Sequence, residues 1–426
     1  MNKVSFLTVL IFTILMSNSF AGRKKYNRNN CNDHLFYLVQ SLDNAGVNGK
    51  KIVDEVRTHN GRVKKYNVTK QTAAYRNNYM PLDHGGFDWP WQTEYKAKDD
   101  PSNKYFFSRG VYKTKNLLSA SEIRDNVFNE MSQAELDKLS PIRKYALIQG
   151  DYEMNALAQE IFVRGPERNG PKIEFWEGSC YAMRTTACLL PEPNKVTKRT
   201  ISYRGKKRTI NLYPNDVKAL AALTYKNSEL YVRAGDINRG SRDTDPVNAA
   251  VYHMFKRVFK IMKTRYKNLP YAAIFDVEPN GQLWNEGFQT FEDSFSKVIS
   301  VDRRAKRDLG APRGTKYYVD VTDRIGLVHE TDIRETNRAT RSETAAGEGL
   351  NYESYTYRLF LDGKKRIIDG HWMGSETGRQ YPDFIGWPNG IGLPDQGGNP
   401  YVDFHAVMDI LEDSTTEKSK KIPGRR

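Results

Sequence analysis

Residues 245–288 read DPVNAAVYHMFKRVFKIMKTRY (245–266), then YAAIFDV (271–277), PNG (279–281) and QLWNEGF (282–288). In the first run Val247, Ala250, Val251, Met254, Val258, Ile261 and Met262 recur at helical spacing, which predicts an amphipathic helix over Asp245–Tyr266. The second run is β-branched and aromatic enough for a strand. Pro279-Asn280-Gly281 supplies a turn, and Gln282–Phe288 reads as the strand that returns. A strand that doubles back after a long helix is not a βαβ crossover. Helices and strands mix here without regular alternation, so the fold class is α+β.

Outward from this segment the pattern continues. Tyr317–Val321 alternates apolar and polar residues, and Tyr355–Leu361, Asp362-Gly363 and Arg366–Trp372 form a hairpin signal. Towards the N-terminus, Ser132-Gln133-Ala134-Glu135 is a capping box, and Ser140-Pro141 opens a helix with proline at its first position. Cys180–Leu190 reads as a helix stopped by Pro191-Glu192-Pro193, and Asn215–Tyr225 as a short helix. Lys195–Thr209 is strongly basic, and Ile201–Gly205 and Ile210–Tyr213 look like hairpin arms around it. A helical N-terminal region thus precedes a β-rich C-terminal part.

The ends carry different signals. Lys3, the apolar run Val4–Met16 and small residues at Ser19 and Ala21 read as a secretory signal, residues 1–21, cleaved before Gly22. Residues 22–130 form an N-terminal region, a pro-region or an accessory layer. Residues 131–411 hold the catalytic domain, and 412–426 a charged disordered tail. With 426 residues and three cysteines, the chain is no disulfide-held miniprotein. A mean hydropathy of −0.70 excludes a polytopic membrane protein. The formal charge of +15 draws the chain to acidic surfaces without naming one.

Cys180 stands two residues after Gly178, at the expected start of a helix. A helix N-terminus favours a thiolate and offers N–H groups to an oxyanion. Against this stands a buried structural thiol or half a disulfide. Eight helical residues separate Cys180 from Cys188 by ~12 Å, beyond the roughly 7 Å that a disulfide spans. Cys31–Cys188 is the bridge to expect, if one forms. An imidazole must complete a thiol site. His253 lies about 120° from the centre of its helix's apolar stripe, which argues for a cleft wall or a solvated face over a core histidine. His329 and His371 are rivals. Asp276 alternates with Ala272 and Ile274, so a partner is expected for its carboxylate; a turn aspartate is the plainer reading. Asp216, Asp243 and Asp245 compete with it as orienting acids. No metal-ligand pattern, P-loop or dinucleotide fingerprint occurs.

Several segments together resemble one family. They are Leu139–Tyr152, Trp176–Tyr181 with Leu190–Pro193, Asn215–Leu220, Arg242–Pro246 leading to His253, and Phe275-Asp276-Val277 leading to Leu283-Trp284-Asn285. Tyr355-Thr356-Tyr357, Ile367–Trp372, Tyr381–Phe384 and Asn399-Pro400-Tyr401 follow in the same order. The series, over roughly residues 135–411, resembles the transglutaminase elicitor family of secreted oomycete and bacterial proteins. The resemblance implies a protein–glutamine γ-glutamyltransferase with a papain-like order of Cys, His and Asp. It selects Cys180, His253 and Asp276 as catalytic, and Trp176, Trp284 and Asn285 for substrate and oxyanion. It calls for no cofactor and leaves calcium open. The implied partners are proteins bearing Gln and Lys outside the cell, met by a monomer; the net charge adds contact to anionic surfaces, and the basic stretch, with few aromatics and no known motif, gives no nucleic-acid partner. A cysteine protease, a deamidase or a decayed binding protein are the alternatives. The chain departs from the family at Tyr181-Ala182-Met183-Arg184, where His-x-Trp-Ala is usual, and at Asp243-Thr244-Asp245-Pro246, which lacks an Asn.

Overall fold

The computed structural model describes residues 31–44, 46–67, 80, 82–165, 178–225, 230–235, 247–266, 274–277, 284–328, 350–373, 381–382, 384–388 and 398–416. The signal segment, Trp176, Asp243, Asp245 and His329 lie outside them.

The chain begins with α1 (Cys31–Asn44) and α2 (Gly49–Arg57), then the short strand β1 (Lys64–Tyr66). Residues 82–116 run through tight 3-10 turns. Then come α3 (Ala120–Asp125), α4 (Gln133–Asp137), α5 (Pro141–Gln149), α6 (Asn155–Arg164) and α7 (Cys180–Leu189). Local chemistry fixes several starts. Ser132 and Glu135 form the expected capping box, and Ser119 with Glu122 forms a second. Ser140 caps α5 ahead of Pro141.

The basic stretch folds as the hairpin β2 (Thr197–Tyr203) and β3 (Lys206–Leu212), turning at Arg204-Gly205, both with positive φ. The turn is tighter than the sequence spacing suggested. α8 (Pro214–Thr224) follows, then β4 (Leu230–Gly235), α9 (Ala249–Arg265), β5 (Ile274–Val277) and β6 (Trp284–Phe295). The rest is β7 (Ile299–Ser300), α10 (Arg303–Asp308), β8 (Tyr317–Val328), β9 (Leu350–Leu361), β10 (Ile367–Trp372), β11 (Phe384–Pro388) and α11 (Phe404–Asp413).

Among the described residues, nine strands form one sheet. Its main path is β10-β9-β8-β6-β5-β11-β4, with β1 paired to β6 and β7 to β8, every pairing antiparallel. The returning strand after β5 is present, and the α+β class holds. Helices α1, α2 and α9 share a core with the sheet. Gly370 lets α9 approach closely: a Cβ there would stand 2.5 Å from the backbone N of Ala250. Beside it the Trp372 indole donates to the Val247 carbonyl at 2.7 Å, and the Asn248 amide to Asp369 at 2.7 Å. The segment Ile367–Trp372 thus anchors the start of the His253 helix.

A second core joins Phe87, Trp89, Trp91, Phe106 and Ile123 to α5, α6, α7 and α8. The buried Arg143 guanidinium is held by Asp88 at 2.8 and 2.9 Å, Ser102 at 3.0 Å and Asn103 at 2.8 Å. Residues 87–130 therefore share their packing with the helices that follow. Residues 412–416, assigned to the tail from sequence, belong to the fold. Glu412 and Asp413 are helical, and buried Ser414 accepts the backbone N–H groups of Asn194 and Lys195 at 2.8 and 3.0 Å. Among the described residues, no helix is long and apolar enough to cross a membrane.

Candidate active site

Helix α7 is apolar or small nearly all round, the signature of a buried helix. Residues 182–190 are all buried, whereas Cys180, at its first position, is half-buried. Its N-terminal end therefore reaches solvent while its body is enclosed. Ser179 before it is buried. The three cysteines form no disulfide. Cys31 sits in the α1 core, where burial, aided by Asp369, pushes its thiol up to about 12. Such a thiol stays protonated and inert.

α7 packs on β6 at Gly287. A Cβ there would lie 3.0 Å from Cδ of Arg184 and 3.2 Å from Sγ of Cys188, so glycine permits the contact. In the same row Gly287 pairs with Ile274 on β5 and Val328 on β8. Two residues along, Asp276 pairs with Asn285, and one further Val277 pairs with Trp284. Phe384 of β11 pairs with Asp276 from the other side. Backbone register thus gathers Asp276, Trp284 and Asn285 at the sheet end on which α7 rests.

His253 is placed differently. It is 1% exposed, so it is neither a solvated face nor an open cleft wall. Its Nδ1 lies 2.8 Å from the Tyr357 hydroxyl and 3.7 Å from Asp293, and its ring meets Phe295 edge-on. The stripe argument failed because α9 is covered on its flank as well as its apolar face. Asp293 is six residues along β6 from Gly287, about 20 Å at ~3.3 Å per residue. The His253 ring is therefore enclosed by β6 and β9 well along the sheet from where α7 packs.

Sequence reasoning missed the cluster around it. Lys256 Nζ lies 2.6 Å from Asp293 and 2.5 Å from Asp323, all three side chains fully buried. Tyr252 donates to Asp323. Asp293 and Asp323 face each other in register across β6 and β8. Burial pushes the Asp293 carboxyl up to about 7, Lys256 opposing and Asp323 reinforcing. A signal existed: Asp293 alternates with Phe291 and Phe295, and Asp323 with Val321 and Ile325, as Asp276 does with Ile274.

Burial holds His253 well below the ordinary histidine value, with Lys256 and Arg257 adding to it. Burial and Arg257 lower His59 to about 4. A depressed base is neutral in the fold. Its stabilising share is present above about pH 6.5 and is lost as pH falls below that. Asp293 acts oppositely: its share is present below about pH 4 and is lost as pH rises through 7. Two histidines outweigh one carboxyl on the acid side. The melting temperature is expected to fall between pH 6.5 and 4.5, with a shallower slope in His59→Phe; equal slopes would refute this.

The competing acid Asp216 is committed elsewhere. It accepts from the Trp91 indole at 2.8 Å, from Lys144 at 2.6 Å and from the Tyr213 backbone at 2.9 Å. His371 is exposed on β10, edge-on to Phe360. No cluster of three or more His, Cys, Asp or Glu among the described residues could hold a metal ion.

The fold is similar to that of the GP42 transglutaminase from Phytophthora sojae, seen in its crystal structure. The TM-score is 0.54 at 16% identity, over 91% of this chain and 98% of that chain. No curated protein matches the sequence. The transglutaminase elicitor family matches residues 87–416, and the chain belongs to that family.

Proposed function

We propose that the protein is a thiol acyltransferase that joins a glutamine carboxamide to an amine, with Cys180 as nucleophile. The observation that carries this reading is the half-buried thiol at the first position of an otherwise enclosed helix. The thiolate attacks the carboxamide carbon, and the Cys180 and Trp284 backbone N–H groups stabilise the oxyanion. The C–N bond breaks, an imidazolium gives its proton to the leaving ammonia, and a thioester remains. A lysine amine then attacks, its proton passes to the imidazole, and the C–S bond breaks to leave an isopeptide. Water in place of the amine gives deamidation. Trp176 and Trp284 would keep water out, and Asn285 would help hold the substrate. The signal segment and the family resemblance support secretion, with protein substrates outside the cell.

The resemblance assigns the imidazole to His253 and its orientation to Asp276. The enclosure of His253 favours a second reading, in which it braces the buried cluster and another histidine serves Cys180. His329 directly follows Val328, which pairs with Gly287 and packs in one core with Cys188. His253→Gln separates the two. A lowered kcat at unchanged melting temperature supports the first, and a lowered melting temperature with activity kept at low temperature the second.

The reaction class is tested with casein and a fluorescent primary amine. Incorporation matched by ammonia release is expected. Ammonia without incorporation would mark a deamidase, peptide cleavage a protease, and no turnover a binding protein.

A further inference from the structure

We infer that the sheet end opposite α7 is a docking surface for an acidic polysaccharide, a polymer bearing carboxylate or sulfate groups. Three segments distant in sequence meet there. Residues 297–316, from β7 through α10 to the start of β8, hold seven Lys and Arg against two Asp. The β9–β10 turn brings Lys364, Lys365 and Arg366 beside them: the Lys316 N–H donates to the Leu361 carbonyl at 2.8 Å, and a Cβ on Gly363 would lie 3.8 Å from the Lys316 side chain. The His59 N–H donates to the Lys365 carbonyl at 3.1 Å, which adds the 59–65 segment with Arg62 and Lys64.

The acids in this region are occupied. Asp302 caps α10 at the Ala305 N–H, 2.7 Å away, and Asp362 accepts from the backbone of Lys364 and Arg366 and from the Arg366 side chain. Asp308 forms loose ion pairs with Arg304 at 3.9 Å and Arg307 at 3.7 Å, which offset one of the seven cations. Those two side chains are 85% and 80% exposed. The positive excess therefore faces outward.

The chemistry of the patch selects the partner. Arginine predominates on α10, and its planar fork matches carboxylate and sulfate. A membrane-surface helix needs an apolar face to insert, and Ile299 is the exposed large apolar side chain of residues 297–316. Single-stranded nucleic acid is held on aromatic platforms; here Tyr317 and Tyr318 are half-buried, and Arg358 already stacks on Tyr318. A six-residue helix, about 9 Å long, is short for reading a DNA groove. Tyr317 stands eleven residues along β8 from Val328, in the row where α7 packs, about 35 Å away. A polymer bound here leaves that row open, and the inference does not depend on the thiol chemistry.

The test is binding of the full chain to immobilised heparin, with neutral dextran as blank. Retention that weakens steeply with salt is expected. Arg303→Glu/Arg304→Glu/Arg307→Glu should weaken it at least tenfold at unchanged melting temperature. A second variant, Arg313→Glu/Lys364→Glu/Lys365→Glu, should do the same, which guards against a local folding defect in α10. A control with equal charge change on the exposed Lys98, Lys113 and Lys115, each to Glu, should stay within twofold. Equal loss in patch and control variants would show net charge alone and overturn the inference. So would unchanged binding in both patch variants, or tighter binding to phosphatidylserine vesicles or duplex DNA at the same salt.

Discussion

Cys180→Ala is expected to lower amine incorporation by at least about 10⁴-fold, the scale of losing a nucleophile while binding survives. The side chain is half-buried at a helix start, so its truncation opens no sealed cavity and the melting temperature should hold. Cys188→Ala should behave in the reverse way. Its sulfur is buried against Gly287, and removing it should cost about 1–2 kcal/mol of stability with activity kept. Incorporation kinetics and thermal melting on the two variants check both halves. Comparable activity in Cys180→Ala and the parent would remove Cys180 from the chemistry.

Lys256→Met is expected to destabilise the fold by about 3–5 kcal/mol, the scale for breaking a buried pair. The ammonium lies between two carboxylates that the β6–β8 register forces to face each other. Without it, like charges meet in a site closed to water, and the Asp293 carboxyl, already pushed up by burial, must take up a proton to remain. The deficit should be larger at pH 8 than at pH 6, since proton uptake relieves it at the lower pH. Adding Asp293→Asn and Asp323→Asn should restore most of the loss. Chemical denaturation at the two pH values measures this. A deficit below about 1 kcal/mol, or one independent of pH, would show that the cluster does not work as described.

Much of the fold was legible because local rules and the tertiary outcome agree. Ser132 with Glu135, Ser140 with Pro141, and the turn between Leu361 and Ile367 are each specified within a few residues. Boundaries moved where tertiary contacts decide them. Asn248 caps α9, its side chain accepting from the Ala250 N–H. β6 and β8 run to Phe295 and Val328, beyond their apolar runs, because Lys256 lets each carry a buried aspartate. His253 was misread for a related reason. Helical periodicity reports one buried face, and α9 has more than one.

The segments that carry the family resemblance have a physical explanation of their own. Many hold buried ionic or polar ties of the scaffold. Lys144 pairs with Asp216, Lys218 with Glu192 at 3.0 Å, and Arg143 with Asp88. The Tyr145 hydroxyl accepts the Asp403 N–H at 2.8 Å, and Asn399 donates to Ala156 and Glu160. Buried charges tolerate few substitutes, because each needs its partner's geometry. Such motifs identify a fold more readily than a catalytic set. That explains why the family was readable from order and spacing.

Alkylation by iodoacetamide, followed residue by residue by mass spectrometry from pH 5 to 9, tests the reactive thiol most directly. Cys180 should react well below pH 8, faster than Cys31 and Cys188, which stay protected in the folded chain until denaturant exposes them. Equal labelling of all three cysteines in the native protein, or none at Cys180 below pH 9, would contradict the account.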